Sequence, residues 1–177
     1  MELSPTAYVV LGMLRLGRRT GYEIKQLVDN STRFFWVASY GQIYPELKRL
    51  EEAGLVEGKA DPQGGRQRRA YELTAAGTRT LEEWLRKSDD VVTEMRDSAL
   101  LKLFFSDAVA PRERAALAAA ARKRHEAVVA ALEGVRAAGP ANPDNEMPFE
   151  VLRFGLDFHR WCADRFARME QELQEEK

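Results

Sequence analysis

The feature that most limits what this chain can fold into is a series of three helix-start signals in its first quarter. The first is Ser4-Pro5, because serine caps helices and proline fits their first position. Residues 20–23 (Thr-Gly-Tyr-Glu) and 39–42 (Ser-Tyr-Gly-Gln) have the spacing of capping boxes. Apolar residues at helical spacing follow each signal. The sequence therefore predicts three short helices, the first ending at Gly17 and the third at Gly54.

A basic hairpin is predicted directly after the third helix. Residues 55–59 form one candidate strand, and residues 68–73, with alternating side chains, form another. The intervening residues 61–65 (Asp-Pro-Gln-Gly-Gly) predict a turn. Three helices followed by such a hairpin is the order of a winged helix-turn-helix. A fourth helix is predicted to follow the second strand.

The second half of the chain predicts only helices. They cover residues 95–105, 111–136 and 149–175, and a Gly-Pro pair at 139–140 separates the last two. The first of them is apolar nearly all round, which predicts burial on more than one side. The last carries an apolar band wider than one packing face needs, so a partner surface is predicted in addition to its own core.

Charge is divided unevenly between the two halves. The chain has 27 Lys and Arg and 28 Asp and Glu, and this net charge of −1 argues against holding nucleic acid by bulk positive charge. Residues 1–87 nevertheless carry 14 basic and 11 acidic residues, whereas residues 88–177 carry 13 and 17. Together with the element order, this division predicts a mainly α protein. An N-terminal winged helix-turn-helix domain (1–87) precedes an all-helical C-terminal dimerisation domain (88–177).

Two observations bear on the compartment in which the chain works. Its single cysteine, Cys162, cannot form an intramolecular disulfide, which is typical of reducing surroundings. The N-terminus lacks a secretory pattern, and no apolar run approaches the ~20 residues that span a bilayer. The sequence therefore predicts a cytoplasmic protein without a membrane partner.

The third helix is the predicted DNA reader. Packing Ile43, Leu47 and Leu50 inward leaves the opposite side free to enter the major groove. The residues on or beside that side that are predicted to contact bases or phosphates are Ser39, Tyr40, Gln42, Tyr44, Lys48 and Arg49. Because the N-terminal end of such a helix does most of the reading, base contacts are expected from residues 39–44.

Two further segments are predicted to hold phosphates. Arg66, Arg68 and Arg69 follow the Gly-Gly turn, where they can lie along the DNA backbone or enter the minor groove. The capped start of the second helix, near Thr20 and Tyr22, can offer backbone N–H groups to a phosphate. A basic helix face alone is usually just solvated, so the prediction of DNA binding depends on the order of all these elements.

Pro45 is at odds with a regular third helix because it lacks an N–H group. It either kinks the helix or lies in the first turn, in which case regular helix begins later than Ser39. The sequence alone leaves both alternatives open.

Five stretches of the N-terminal half carry a family pattern. They are residues 10–14 (VLGML), 20–24 (TGYEI), 40–47 (YGQIYPEL), 49–55 (RLEEAGL) and 71–77 (YELTAAG). Together they resemble the PadR family of transcriptional regulators, in which a Tyr-Pro pair inside the third helix is itself part of the pattern. The second half, with LLKLFF at 100–105 and a long final helix, is similar to the larger PadR subfamily related to virulence-activator-type regulators.

The resemblance implies a homodimer joined by its C-terminal helices, with two winged helices bound to a near-palindromic double-stranded DNA operator. It also implies repression, often relieved by a small aromatic molecule. This chain has Gly-Gln-Ile-Tyr-Pro where the family commonly has Gly-Thr-Leu-Tyr-Pro. Since Gln42 is at a predicted base-reading position, the family's operator sequence cannot be carried over to this chain.

Aromatic residues of the last helix are candidates for binding such an effector. The candidates are Phe154, Phe158, Trp161 and Phe166. They could line a pocket between protomers, to which Trp36 or Trp84 could add a ring. Aromatic side chains at helical spacing are more often part of a core, so both interpretations stay open.

An enzyme is the first alternative function. The sequence has no glycine-rich phosphate loop and no histidine–acid pair at a catalytic spacing, and His125 and His159 are its only histidines. His159 and Cys162 lie one helical turn apart, but a zinc site needs three or four ligands. The sequence therefore predicts no catalytic residue, no metal and no cofactor.

A winged-helix adaptor that binds proteins instead of DNA is the second alternative. Such a module has little use for Arg66, Arg68 and Arg69 together, which favours DNA. A test of DNA binding separates the two functions.

Overall fold

The computed structural model describes residues 3–60, 69–87, 95–139 and 146–175. The chain divides into two compact units, Met1–Val91 and Val92–Lys177. The order of elements confirms the predicted mainly α fold, in which three helices and a hairpin precede an all-helical part.

The first unit follows the predicted series of helix starts. Its elements are α1 (Pro5–Arg15), α2 (Gly21–Asn30), α3 (Tyr40–Glu52), β1 (Val56–Ala60), β2 (Arg69–Leu73) and α4 (Ala75–Arg86). At the start of α1, the Ser4 hydroxyl accepts a hydrogen bond from the N–H of Ala7 at 3.1 Å. At the start of α4, the Thr74 hydroxyl accepts one from Gly77 at 3.0 Å. Caps of this kind satisfy N–H groups that the helix leaves unpaired.

One continuous apolar core holds this unit together. Helices α1, α2 and α3 supply its largest fully buried side chains, which are Val10, Leu11, Ile24, Val28, Ile43, Leu47 and Leu50. Burying each of them contributes about 1.5–3 kcal/mol to folding. The stripe predicted for α3 therefore faces inward, and the position of this helix is fixed by the core.

Backbone hydrogen bonds join the hairpin to the helical part of the unit. β1 and β2 pair antiparallel, with Val56 opposite Leu73. The N–H of Tyr71 donates to the carbonyl of Arg19 at 2.6 Å, which joins the α1–α2 connection to β2. α3 ends where Gly54 adopts a φ of 68°, a left-handed conformation that glycine favours. The turn predicted at 61–65 lies outside the described residues.

Pro45 lies inside α3 and not in its first turn. Because the helix begins at Tyr40, the alternative in which regular helix starts later than predicted is wrong. Proline at this position leaves the carbonyl of Gly41 without the N–H that a helix would supply from four residues on.

The second unit consists of a short helix and a long helical pair. Its elements are α5 (Ser98–Phe104), α6 (Pro111–Ala138) and α7 (Met147–Glu175). Two ion pairs, Arg122–Glu170 at 3.0 Å and Arg160–Glu133, join α6 to α7. Because the early part of α6 meets the late part of α7, the two helices are antiparallel. The buried residues of the two helices are Ala115, Ala118, Ala121, His125 and Leu132 of α6 and Leu156, Cys162, Ala163 and Phe166 of α7.

α5 differs from its prediction in length and in burial. It begins only after Asp97, whose carboxylate accepts hydrogen bonds from the N–H groups of Ala99 and Leu100. None of its residues is buried, and the side chain of Phe104 is 79% exposed. Burial on more than one side is therefore wrong for a single chain, because α5 packs against the helical pair through Ala99 and Leu103 and leaves its other large apolar side chains exposed.

The length and polarity of a helix determine whether it can cross a membrane. Among the described residues, no helix combines the length and the apolar character that a bilayer crossing requires.

Candidate nucleic-acid interface

The outward side of α3 gathers the residues predicted to read DNA. The fold exposes all of Ser39, Tyr40, Gln42, Tyr44, Lys48 and Arg49. The opposite side, formed by Ile43, Leu47 and Leu50, is buried in the core. A helix held this firmly from behind presents its outer face as one rigid surface, which is what insertion into a groove requires.

The start of α3 uses Gln42 as a cap. The Oε1 atom of Gln42 accepts hydrogen bonds from the backbone N–H of Ser39 at 2.9 Å and from its hydroxyl at 3.0 Å. The carbonyl half of this side chain is therefore used within the protein. Its NH₂ group is the half that can donate to a base acceptor.

Tyrosines form an aromatic surface across α2 and α3. The rings of Tyr40 and Tyr44 stack at 6.1 Å, and Lys25 Nζ lies 5.6 Å from the centre of the Tyr40 ring. Tyr22 is half-exposed, and its hydroxyl accepts a hydrogen bond from Gln26 at 2.9 Å. The predicted residues of the two helices thus share one exposed region. Lys25 was missed because only the folded chain brings it to Tyr40.

The start of α2 is already well capped. The hydroxyl of Thr20 is buried and accepts from the N–H of Glu23 at 3.2 Å. The Glu23 carboxylate in turn accepts from the N–H groups of Arg19 and Thr20 at 3.0 and 3.1 Å. Of the two residues predicted here, Tyr22 is accessible to a phosphate, whereas Thr20 serves the helix itself.

The basic side chains near this surface are held in ion pairs. Arg69 contacts Glu51 at 2.6 Å and also donates to the carbonyl of Gly58 at 3.1 Å. Lys48 and Arg49 pair with Glu52 and Glu46 of their own helix. The Lys48–Glu52 pair is exposed on both sides and is worth only about 0–1 kcal/mol, so a phosphate can displace its carboxylate, whereas the Glu46 carboxylate beside Arg49 is buried. Arg66 and Arg68 lie outside the described residues.

Burial also affects the hairpin tyrosine beside Arg69. The pKa of the Tyr71 hydroxyl is raised, mainly because burial disfavours its charged form, and the nearby Arg69 guanidinium offsets part of this effect. Tyr71 is therefore neutral at physiological pH and acts as a packing residue between the wing and the helices.

Glu46 is a functional candidate that the sequence analysis missed. Its side chain is only 11% exposed, and Oε1 accepts a hydrogen bond from the Ser4 hydroxyl at 2.8 Å. The same oxygen lies 3.1 Å from Arg49 NH1. Glu46 therefore links the start of α1 to a predicted DNA contact on α3. The signal was available, since this carboxylate falls on the apolar stripe of Ile43 and Leu47.

Comparison with known proteins identifies the family. The profile of the "Transcriptional regulator PadR-like family" matches residues 10–83, and that of "Virulence activator alpha C-term" matches residues 95–174. The negative transcriptional regulator PadR of Bacillus subtilis (strain 168) is 30% identical over 128 residues, which are 72% of this chain and 70% of the relative. The chain belongs to the PadR-like family of transcriptional regulators.

Solved structures agree with this assignment. Bacillus subtilis PadR in complex with operator DNA matches with a TM-score of 0.86 and 25% identity, covering 96% of this chain and 99% of that one. The same protein in complex with p-coumaric acid matches with a TM-score of 0.79 and 24% identity, covering 99% and 100%. The prediction of a DNA-binding transcriptional regulator, and not an enzyme, is confirmed by the family.

The structure brings some of the aromatic side chains predicted to bind an effector together in this PadR-like chain, since Phe158 and Phe166 both contact the ring of His125. Phe166 is buried and its ring stacks on His125 at 5.5 Å, so it belongs to the core of the helical unit. Trp161 and Phe154 are mostly exposed, and Phe154 stacks on Phe158 at 6.5 Å. A shallow cavity of about 320 Å³ lies away from these side chains, between the start of α6 and the end of α7, where Arg112 and Leu173 are among its lining residues.

Two histidines meet in the interior of the helical pair. The Nδ1 atoms of His125 and His159 lie 2.8 Å apart, so one imidazole donates to the other. The pKa of each is lowered, chiefly by burial, with a further contribution from the positive charge of Arg124. Burial raises the pKa of the neighbouring Cys162 thiol. No group of three His, Cys, Asp or Glu side chains suited to a metal occurs within the described part of the chain.

Proposed function

We propose that this PadR-like regulator is a repressor that binds a near-palindromic operator as a homodimer. In this proposal residues 1–87 read the DNA and residues 88–177 join the two copies. The observation that carries it is the rigid, exposed side of α3, backed by the core and lined with polar and basic side chains. The Bacillus subtilis relative is a negative regulator and has been crystallised with operator DNA, which supports the same mode of action here.

Base reading is assigned to the first turns of α3. Gln42 can donate through its NH₂ group to N7 or O6 of guanine, to N7 of adenine or to O4 of thymine. The hydroxyls of Ser39, Tyr40 and Tyr44 can reach phosphate oxygens at the edge of the groove. Lys48 and Arg49, further along the helix, are assigned to phosphates, for which they exchange their present partners.

Phosphate binding by the wing is assigned to Arg66, Arg68 and Arg69. Each phosphate neutralised by such a residue releases counterions and adds to affinity without adding sequence preference. At the start of α2, Tyr22 and the N–H groups of residues 21 and 22, which directly follow the cap residue Thr20, are proposed to contact a further phosphate. These contacts set the register of the domain on the duplex, and α3 reads the sequence.

Pairing of two copies is assigned to the apolar side chains that the helical unit leaves exposed. They are Leu100, Leu101, Phe104 and Phe105 in and after α5, and Met147, Val151, Phe154 and Phe158 in α7. A surface with this many large apolar groups is unusual for a monomer and marks an interaction site. Linking two DNA-binding domains also raises affinity by effective concentration.

A small aromatic effector is proposed to bind at Phe154, Phe158, Trp161 and Phe166. The complex of Bacillus subtilis PadR with p-coumaric acid supports this chemical class. Titration with p-coumaric acid should quench tryptophan fluorescence saturably, and Trp161→Ala should abolish the effect while sedimentation shows an unchanged oligomer. Absence of a saturable response to p-coumaric acid would contradict this part of the proposal.

Gel-shift titration with DNA from upstream of the chain's own gene tests the main proposal. The expected result is one discrete complex that survives excess nonspecific competitor. A regulator that binds DNA and keeps Cys162 reduced is proposed to act in the cytoplasm, where DNA is present and thiols stay reduced. Failure to bind any duplex, including nonspecific DNA at low salt, would favour the adaptor function instead.

A further inference from the structure

Gly21, the first residue of α2, leaves a space that the ring of Tyr44 fills. A Cβ built at position 21 would lie 2.5 Å from Cε1, 2.8 Å from Cζ and 3.1 Å from Cδ1 of Tyr44. Carbon atoms in favourable contact lie about 3.5–4.0 Å apart, so a side chain at position 21 and the present ring position exclude each other. The glycine is buried under this ring.

The backbone itself does not require glycine at position 21. The described glycines with positive φ are Gly17, Gly54 and Gly139, and Gly21 is not among them. Its position at the start of a helix accepts any ordinary residue, and alanine would favour the helix more than glycine does. The lack of a side chain therefore serves the neighbouring ring and not the fold of α2.

A second contact holds the Tyr44 ring, this time from its own helix α3. The ring stacks on that of Tyr40. Lys25, which follows Gly21 by one turn of α2, lies over the Tyr40 ring. Tyr44 is nevertheless 50% exposed. One edge of the ring, from Cδ1 to Cζ, thus lies on Gly21 and the ring stacks on Tyr40, while half of the side chain remains open to a ligand.

We propose that Gly21 is a positioning residue for operator recognition, which sets the place of the Tyr44 ring on the DNA-facing surface. The inference rests on the proposed function, because it needs Tyr44 to contact DNA. A ring that is already held in place loses little conformational freedom on binding, so more of the free energy of its contact appears as binding affinity. With a side chain at position 21 the ring must swing away, and its hydroxyl leaves the position in which it meets the operator.

Gly21→Ala is the direct test, with Gly12→Ala as the matched control. Gly12 lies within α1, and a Cβ added there meets nothing within 4 Å. Affinity for the upstream duplex, measured by fluorescence anisotropy, should fall about tenfold for Gly21→Ala, the size expected for one charge-assisted hydrogen bond. It should stay unchanged for Gly12→Ala. The thermal midpoint should be unchanged or raised in both, because alanine favours helices.

A double-mutant cycle separates positioning from general damage. Tyr44→Ala alone should weaken binding by at least as much as Gly21→Ala. Adding Gly21→Ala to Tyr44→Ala should then change affinity less than twofold, because the ring it displaces is already gone. If Gly21→Ala lowers the thermal midpoint, the double variant should restore it, since the smaller side chain makes room for the new methyl group.

The outcomes distinguish this inference from the proposed function. Wild-type affinity in Gly21→Ala, with Tyr44→Ala weakened, overturns the positioning role and leaves DNA recognition by α3 intact. Equal losses from Gly21→Ala in the presence and absence of the Tyr44 ring also overturn it. A wild-type protein that binds no duplex at all overturns both.

Discussion

The two units of this regulator bury their apolar side chains to different extents. The first packs large side chains such as Leu11, Ile24 and Leu47 into one closed core. The second buries few large side chains between α6 and α7, where alanines alternate with Leu132, Leu156 and Phe166, and leaves rings such as Phe104 and Trp161 in solvent. Alanines let two helices approach closely, but they remove little apolar area from water. The first unit therefore buries its large apolar side chains within one chain, whereas the exposed rings of the second are the surface at which we propose that two copies pair.

The largest expected effect tests the closed core. Leu47→Ala should lower the free energy of unfolding of the first unit by about 2–5 kcal/mol, because it leaves a cavity that no partner fills. Hydrogen exchange of the α3 amides, followed by mass spectrometry, reports on this unit. Leu85→Ala, at the exposed end of α4, should cost less than about 0.5 kcal/mol. A loss for Leu47→Ala that depends on protein concentration would contradict closure within one chain.

The open surface of the second unit is tested by changing two exposed side chains together. Leu101→Ser with Phe104→Ser should weaken self-association at least tenfold, because apolar anchors contribute most of the energy of an interface. Sedimentation velocity over a concentration series measures this. Lys102→Ser in the same helix is the control and should leave self-association unchanged. If the double variant associates like the wild type, the exposed face of α5 is not the interface.

The basic wing should act on DNA binding and not on stability. Arg68→Ala with Arg69→Ala should weaken binding to all sequences. It should also reduce the slope of log affinity against log salt by about one for each phosphate that the wing no longer neutralises. Anisotropy at several salt concentrations measures both the affinity and the slope. An unchanged slope would show that these arginines do not bind phosphates.

Gln42→Ala provides the contrast within the same unit. It should change which sequences are preferred, by about 1–3 kcal/mol at one base pair of each half-site, and leave the salt slope unaltered. Binding to a set of duplexes with single substitutions in each half-site measures this preference. A uniform loss over all of these duplexes would place Gln42 with the phosphate-binding residues instead.

The smallest effect concerns the histidine pair of the second unit. Both pKa values lie below the ordinary 6.5 in the folded chain, so the unfolded chain binds more protons in mildly acid solution. Stability is therefore complete above pH 6.5 and is lost as the pH falls from there towards the folded pKa values. Each histidine contributes at most about 1.4 kcal/mol per pH unit. The carboxyl of Asp97, which also faces the pair, has a pKa below 3.8 and so titrates outside this range.

His159→Gln tests the origin of this acid sensitivity. Glutamine can keep a hydrogen bond to His125 but cannot take up a proton in this range. The loss of thermal midpoint between pH 7.5 and 5.5 should therefore shrink to about half of the wild-type loss. An equal loss in the variant would assign the sensitivity to groups elsewhere in the chain.

The fold was predictable where its signals are local. The caps at Ser4, Thr20 and Ser39, and the apolar residues spaced after them, placed the first three helices almost to the residue. The hairpin followed from alternation around a glycine-rich turn. α5 was predicted too long and too buried, because a run of apolar residues reveals that a surface must be covered but not which chain covers it.

The sequence predicts which residues share the exposed face of α3, but it does not predict the contacts that these residues make with other elements. Helical spacing identified the exposed residues of α3, from Tyr40 to Arg49. It did not reveal the bond between Glu46 and Ser4, the fit of Tyr44 on Gly21, or the place of Lys25. Such contacts join separate elements, so they depend on how α2 and α3 are set against each other by the core.

Selection of binding sites from a random duplex library is the decisive measurement of operator reading by a dimer. Two linked winged helices should enrich an inverted repeat whose half-sites lie about one helical turn, or roughly 10 base pairs, apart or a multiple of that distance. We predict this dyad symmetry, with the enriched base pairs placed where α3 of each copy enters the major groove. Enrichment of a site without dyad symmetry, or no enrichment at all, would contradict the proposed mode of binding.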